Sequence, residues 1–300
     1  MDRRQFLRTS IAGAGVIVGA SLGGLCARAA ATQEKAEGKA MLKLCSQDGL
    51  IPGKSPKEKA ENLLKWGAVG IEFWAMDAAR ARQLKEELAG TGIAFAALCW
   101  GSGNGNLVST DLEKRKRGVA DLKAVLDVAG ELASPGVVFV PIFNGQSHLA
   151  PDEITKILLE ILPELGEHAV KAKTRVLLEP LNRGETFYLN RLEQAVVICK
   201  KVASPGVALM GDFYHMAIEE KDDEAAFVAA KGLVHHIHLA SRARNLPGQD
   251  DRSFVAGFRG LKKIGYQDYC SLECSIKGDP MVEIPKSFAL LKRQWEEAKV

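Results

Sequence analysis

One pattern limits what this chain can become: an alternation of strand-like and helix-like segments, repeated eight times. Short runs rich in β-branched and apolar residues occupy Leu42–Cys45, Val69–Trp74, Ile93–Trp100, Val137–Phe143, Arg175–Glu179, Val207–Asp212, Val234–Ala240 and Tyr269–Cys274. Segments with helical periodicity follow them at Ser55–Trp66, Asp77–Leu88, Asp111–Leu132, Pro151–Lys171, Leu192–Val202, Asp223–Lys231, Phe254–Ile264 and Pro285–Ala298. Several strand runs are apolar almost throughout, as in Gly136-Val-Val-Phe-Val-Pro-Ile-Phe143, which is how a parallel strand buried on both faces reads. Strict βα alternation over residues 41–300 predicts an α/β fold, a single (β/α)8 barrel. The rival, an open doubly wound sheet, needs a glycine-rich phosphate turn after its first strand. Gln47-Asp-Gly-Leu-Ile-Pro-Gly53 is not one.

The N-terminus is predicted to be an address. Arg3-Arg4-Gln5-Phe6-Leu7-Arg8 has the form of a twin-arginine export signal, followed by an apolar run from Ile11 to Leu25 and an A-x-A site at Ala27-Arg28-Ala29. The run is short and small-sided for a membrane span. Cys26 has Leu25 before it where a lipoprotein signal wants a small residue. Residues 1–30 read as a signal, either cleaved or kept as an anchor, and 31–40 as a polar linker, with the protein exported in a folded state to the periplasm or beyond and the twin-arginine machinery as its partner in transit.

Charge excludes a class of ligand. The formal net charge is +3, and Arg3, Arg4, Arg8 and Arg28 against Asp2 alone account for all of it. The body is neutral, with no global basic excess to attract a nucleic acid. The six cysteines form no CxxC pair and no regular framework, so a disulfide scaffold is not expected. Nothing in the sequence decides between a monomer and a homo-oligomer.

In a barrel of this kind chemistry is done at the C-terminal strand ends. There the chain reads Leu177-Leu-Glu-Pro-Leu-Asn-Arg183, Met210-Gly-Asp-Phe-Tyr-His215, His235-His-Ile-His238 and Ser271-Leu-Glu-Cys274. A carboxylate placed after buried aliphatic residues is costly to desolvate unless a cation or several donors compensate it. Glu179, Asp212, His238 and Glu273 lie on four consecutive strand ends and converge on the axis in such a fold. Three carboxylates and one imidazole suit a divalent ion, Mn²⁺ or Mg²⁺ before Co²⁺ or Zn²⁺. Side chains alternate along a strand, so His236 shares the face of His238 one layer deeper, as a hydrogen-bonded core residue, while His235 points toward the helices.

These motifs resemble the xylose-isomerase-like TIM-barrel superfamily, in its ketose 3-epimerase and hydroxypyruvate isomerase branches. The resemblance rests on Glu179-Pro-Leu-Asn-Arg183, Asp212-Phe-Tyr-His-Met216, His236-Ile-His-Leu239 and Ser271-Leu-Glu-Cys274, extended by Arg244-Asn-Leu-Pro-Gly248. It covers the chain from about residue 41 to the end. It implies that Glu179, Asp212, His238 and Glu273 hold the metal and that Glu179 and Glu273 are also the acid/base pair. Glu185, His215 and Arg244 match positions that bind the carbonyl and hydroxyl end of a carbohydrate or hydroxy-keto acid substrate. The histidine at 238 matches the epimerases, since hydroxypyruvate isomerases commonly carry Gln there. Ser241, Arg242 and Ala243 replace the family's Asp-x-Asn, which alters the substrate loop.

Chemically, a divalent ion at such a site acidifies the carbon between a chelated carbonyl and hydroxyl. Return of the proton to the neighbouring carbon gives isomerisation, and return to the opposite face gives epimerisation. Elimination from a 3-keto-glycoside would use the same metal and base. Trp74 and Trp100, ending the second and third strands, either wall a sugar site or cap the barrel core. Phe143, Asn144, Gln146 and His148 are candidates for a lid. A repair endonuclease of the same superfamily would need histidines from the second and third strands, yet the first histidine is His148. A non-catalytic sugar-binding barrel would have no use for an intact carboxylate pair.

Overall fold

The structure, a computed structural model, describes residues 39–300. The expected signal, its Cys26 and most of the linker lie outside the described residues. Eight strands are β1 (Lys43–Gln47), β2 (Gly70–Trp74), β3 (Ala94–Gly101), β4 (Val137–Phe139), β5 (Val176–Leu178), β6 (Val207–Asp212), β7 (Val234–Leu239) and β8 (Tyr269–Leu272). They pair in chain order, β8 closes against β1, and every pairing is parallel. The (β/α)8 expectation is met. The helices are α1 (Pro56–Lys65), α2 (Ala78–Glu87), α3 (Leu112–Glu131), α4 (Pro151–Ala172), α5 (Leu192–Val202), α6 (Phe213–Glu219), α7 (Asp223–Ala229), α8 (Val255–Lys263) and α9 (Pro280–Glu297).

Helix starts follow from local chemistry. The side chains of Ser55, Asp77, Asp111, Asp222 and Asp279 each accept a first-turn backbone N–H, satisfying donors that would otherwise have no partner. That capping moves the start of α9 from the expected Pro285 back to Pro280, because Asp279 accepts from Met281 N and Pro280 needs no partner at the first position. β4 stops at Phe139 rather than Phe143, since Pro141 offers no N–H to a ladder. α6 was not expected: it starts directly at the end of β6, with Asp212 as its cap.

Two cores result. The larger lies between the barrel and the helices, where Phe213, Phe254 and Phe258 pack with ring centroids 5.0–5.9 Å apart. The smaller fills the barrel beneath β3 to β6 with Ala97, Cys99, Val138, Leu177, Ala208 and Met210. On the other side, the buried residues of β2, β7 and β8 include Glu72, His236, His238 and Ser271. The interior is thus apolar on one half and polar on the other. Among the described residues, no helix is long and apolar enough to cross a membrane.

Candidate metal centre and active site

Glu179 follows β5, Asp212 ends β6, His238 lies near the end of β7 and Glu273 follows β8. Each contributes one ligand-type atom to a group in which all atoms lie within 4.8 Å of one another. His238 Nδ1 stands 3.0 Å from Glu273 Oε2, 3.3 Å from Glu179 Oε1 and 4.0 Å from Asp212 Oδ2. Glu179 Oε1, Asp212 Oδ2 and His238 Nδ1 are buried without a hydrogen-bond partner. Buried polar atoms are nearly always paired, so three orphans aimed at one point need a partner between them. Oxygen-rich donors with one imidazole fit a divalent cation.

The electrostatics agree. Burial, aided by the charge of Glu273, pushes Asp212 up to about 7. Glu179 is also raised, again by burial. Burial works against ionised Glu273 too, but the neighbouring His238 outweighs it and brings the carboxyl down to about 2. His238 is raised well above the usual imidazole range: burial opposes this, and the charges of Glu273 and Glu72 overcome it. The pocket favours positive charge at its centre.

Around the cluster, His215 is fully buried and its Nδ1 accepts the backbone N–H of Asn182 at 3.1 Å. A backbone N–H can only donate, so the ring proton sits on Nε2. That nitrogen has no hydrogen-bond partner and lies 3.5 Å from Asp212 Oδ2. Burial lowers the His215 pKa and keeps the ring neutral. Arg244 reaches Glu185 Oε1 at 2.8 Å and Glu273 Oε2 at 3.2 Å, with its guanidinium 4.8 Å from the centre of the Tyr214 ring. Its backbone is held at φ 55°, a left-handed conformation uncommon outside glycine, and hydrogen bonds to Ser241 and Ser275 maintain it.

Trp74 is 64% exposed, and with Trp100, Met76 and Cys99 it lines a groove of about 410 Å³. Trp100 also packs on Phe139 at 5.9 Å. The segment after β4 is tied to the one after β5: Asn144 N donates to Glu185 O at 2.8 Å, and Asn144 Nδ2 donates to the carbonyls of Arg183 and Gly184. His236 is buried and hydrogen-bonded, and His235 pairs outside the barrel with Asp268 at 2.7 Å.

Sequence reasoning passed over three residues. Glu72, in the middle of β2, is 1% exposed and receives Gln47 Nε2 at 3.0 Å, His236 Nε2 at 2.9 Å and His238 Nε2 at 3.1 Å. Gln47 Nε2 also donates to Glu273 Oε1 at 2.9 Å. Asn182 orients His215 and Glu185. The signal for Glu72 was in plain view: a carboxylate inside Gly70-Ile-Glu-Phe-Trp74, a run too apolar to hold one without partners.

Comparison with known proteins places the chain among relatives. A family model described as a xylose isomerase-like TIM barrel matches residues 60–294. The chain is 30% identical over 220 residues to the 3-dehydro-D-guloside 4-epimerase of Escherichia coli, spanning 70% of this chain and 83% of that protein. It is 27% identical over 232 residues to the L-ribulose 3-epimerase of Mesorhizobium japonicum, spanning 76% and 78%. Among solved structures, the apo 3-keto-D-glucoside 4-epimerase from E. coli superposes with a TM-score of 0.76 at 26% identity, covering 84% of this chain and all of that one.

Proposed function

The chain belongs to the xylose isomerase-like TIM barrel family, and from that premise we propose that it is a divalent-metal-dependent isomerase or epimerase of a keto-sugar or hydroxy-keto acid. The observation that carries this is the convergence of Glu179, Asp212, His238 and Glu273 with three buried, partnerless atoms turned to one point. These four would hold the ion, with Mn²⁺ or Mg²⁺ favoured by the oxygen-rich donors. When bound, the ion supplies Lewis-acid polarisation of a carbonyl oxygen, which makes the adjacent C–H more acidic.

The chain's own residues do the rest. Glu179 and Glu273 are the proton-transfer pair. One takes the proton from the carbon beside the carbonyl, and return from the other on the opposite face inverts that carbon. Return by the same group to the neighbouring carbon isomerises instead. His215, neutral and with its proton on Nε2, donates a hydrogen bond to a substrate oxygen. Arg244 and Glu185, fixed to each other, hold the hydroxyl end.

Similarity to an enzyme named as a 3-dehydro-D-guloside 4-epimerase supports keto-glycosides as a substrate class for this site. β-Elimination from a 3-keto-glycoside would begin with the same proton removal. The electron pair would then expel the glycosidic oxygen rather than recover a proton. We further place the protein outside the cytoplasm, a proposal supported by Arg3-Arg4-Gln5-Phe6-Leu7-Arg8 and the apolar run after it.

The test is product analysis. Protein stripped with chelator and reloaded with Mn²⁺ is given ketoses, hydroxypyruvate and 3-keto-glycosides, and products are separated by stereochemistry. Metal-dependent appearance of an epimer or isomer supports the proposal. A released aglycone identifies the eliminating enzyme. No conversion of any substrate by metal-loaded protein refutes both.

A further inference from the structure

Beneath the proposed metal ligands lies a second polar layer that none of the expected roles uses. Glu72 projects from β2 into the barrel and is 1% exposed. Its two oxygens face three donors: Gln47 Nε2 at 3.0 Å from Oε1, His236 Nε2 at 2.9 Å from Oε2, and His238 Nε2 at 3.1 Å from both. An ionised carboxylate can only accept, so both imidazoles must present Nε2–H to it. For the neutral His238 ring, the form that can bind a metal, this leaves Nδ1 as the unprotonated nitrogen. Nδ1 is the atom that faces Glu179 and Glu273 at 3.3 and 3.0 Å and has no hydrogen-bond partner.

We propose that Glu72 is a positioning residue: it fixes the ring orientation and tautomer of His238, so that a nitrogen lone pair and not an N–H is offered to the carboxylate cluster. The inference rests on that cluster being a metal site. Gln47 extends the arrangement, because its single amide nitrogen donates to Glu72 Oε1 and to Glu273 Oε1 at 2.9 Å and so ties the lower carboxylate to the upper. Glu72, His236 and His238 could themselves be taken for a second ion site, since their atoms also cluster. The pairing argues otherwise. Both oxygens of Glu72 and both Nε2 atoms are satisfied by one another; His236 Nδ1 has no partner, but it is the ring nitrogen that does not bond Glu72, whereas three atoms of the upper cluster are partnerless together. A carboxylate behind a metal-binding histidine has a general effect: it raises ligand basicity and fixes the tautomer, and its loss weakens metal affinity about 10–100-fold.

Two measurements test this without reference to turnover. Calorimetric titration of metal-stripped protein with Mn²⁺ compares wild type with Glu72→Gln and His236→Phe. Glu72→Gln keeps the shape but removes the charge and one acceptor, and should weaken binding about tenfold or more. His236→Phe removes a neighbour of Glu72 but leaves the bond to His238, and should change affinity by less than about threefold. Nitrogen-15 histidine spectra of Zn²⁺-loaded wild type should show His238 protonated at Nε2, in a hydrogen bond protected from exchange, and this resonance should shift in Glu72→Gln. Unchanged affinity in Glu72→Gln, or an equal loss in His236→Phe, overturns the role of Glu72. So does a His238 carrying its proton on Nδ1, a result available from wild type even if Glu72→Gln does not fold. Failure of wild type to bind either ion at all overturns the metal site instead.

Discussion

Asp212→Asn should make the metal-free protein more stable while abolishing metal binding. Asp212 is 1% exposed, and burial with the nearby charge of Glu273 raises its carboxyl from an ordinary 3.8 to about 7. A carboxyl raised in the folded state costs nothing below its unfolded pKa, and the cost grows as pH rises until the folded pKa is passed. At about 1.36 kcal/mol per pH unit, the penalty is roughly 1–2 kcal/mol at pH 5 and levels off at about 4 kcal/mol once the folded pKa of about 7 is passed. Asparagine removes the ionisation. It also keeps the helix cap, because its oxygen can still accept from Tyr214 N, now bonded at 2.7 Å to Asp212 Oδ1. The assay is chemical or thermal unfolding of chelator-treated wild type and variant between pH 5 and 8. The variant should gain stability, and the gain should grow toward pH 8 to a few kcal/mol, or several degrees in midpoint. Equal stability at pH 8, or a gain that does not depend on pH, would refute the idea that the cluster is held together at a cost.

Other outcomes follow from the same site. Glu179→Gln and Glu273→Gln should each lower turnover by at least about 10²–10⁴-fold with the fold intact by circular dichroism; in an epimerase, one variant should still exchange a substrate proton with solvent on its remaining face. His215→Ala and Arg244→Ala should act chiefly on KM, since these groups hold substrate; a loss of kcat as deep as in Glu273→Gln with KM unchanged would make His215 the acid/base group. Replacing Arg3 and Arg4 together by lysine should leave the protein in the cytoplasm on fractionation, and undiminished export would remove the twin-arginine proposal.

The barrel was legible because its strands are buried on both faces and its helices on one, so the two periods alternate visibly from Leu42 to the end. Glu179, Asp212 and Glu273 stood out because each interrupts an aliphatic run where a carboxylate is expensive, and the structure brings them together with His238. Glu72 carries the same signature but sits mid-strand, where attention confined to strand ends does not fall. Gln47 and Asn182 are ordinary polar residues in sequence, and only the folded contacts distinguish them. Helix α6 was hidden because Phe213-Tyr-His-Met216 reads equally well as a strand end. The start of α9 was misplaced because Pro285 looked like a helix opener until Asp279 was seen capping the segment. Trp74 shows the opposite limit: an aromatic at a strand end carries no sign of whether it faces inward, and here it is largely in solvent.

Solvent deuterium exchange tests the central claim most directly. Mn²⁺-loaded protein is incubated in D₂O with ketoses, hydroxypyruvate and 3-keto-glycosides, and deuterium is located by mass spectrometry and NMR. Deuterium should enter the carbon beside the carbonyl of at least one substrate, even where net turnover is slow. The exchange should cease on chelation, return with Mn²⁺, and be absent when Glu179 and Glu273 are both replaced by Gln. Exchange that survives chelation, or that persists in the double variant, would contradict metal-assisted proton transfer by these two glutamates.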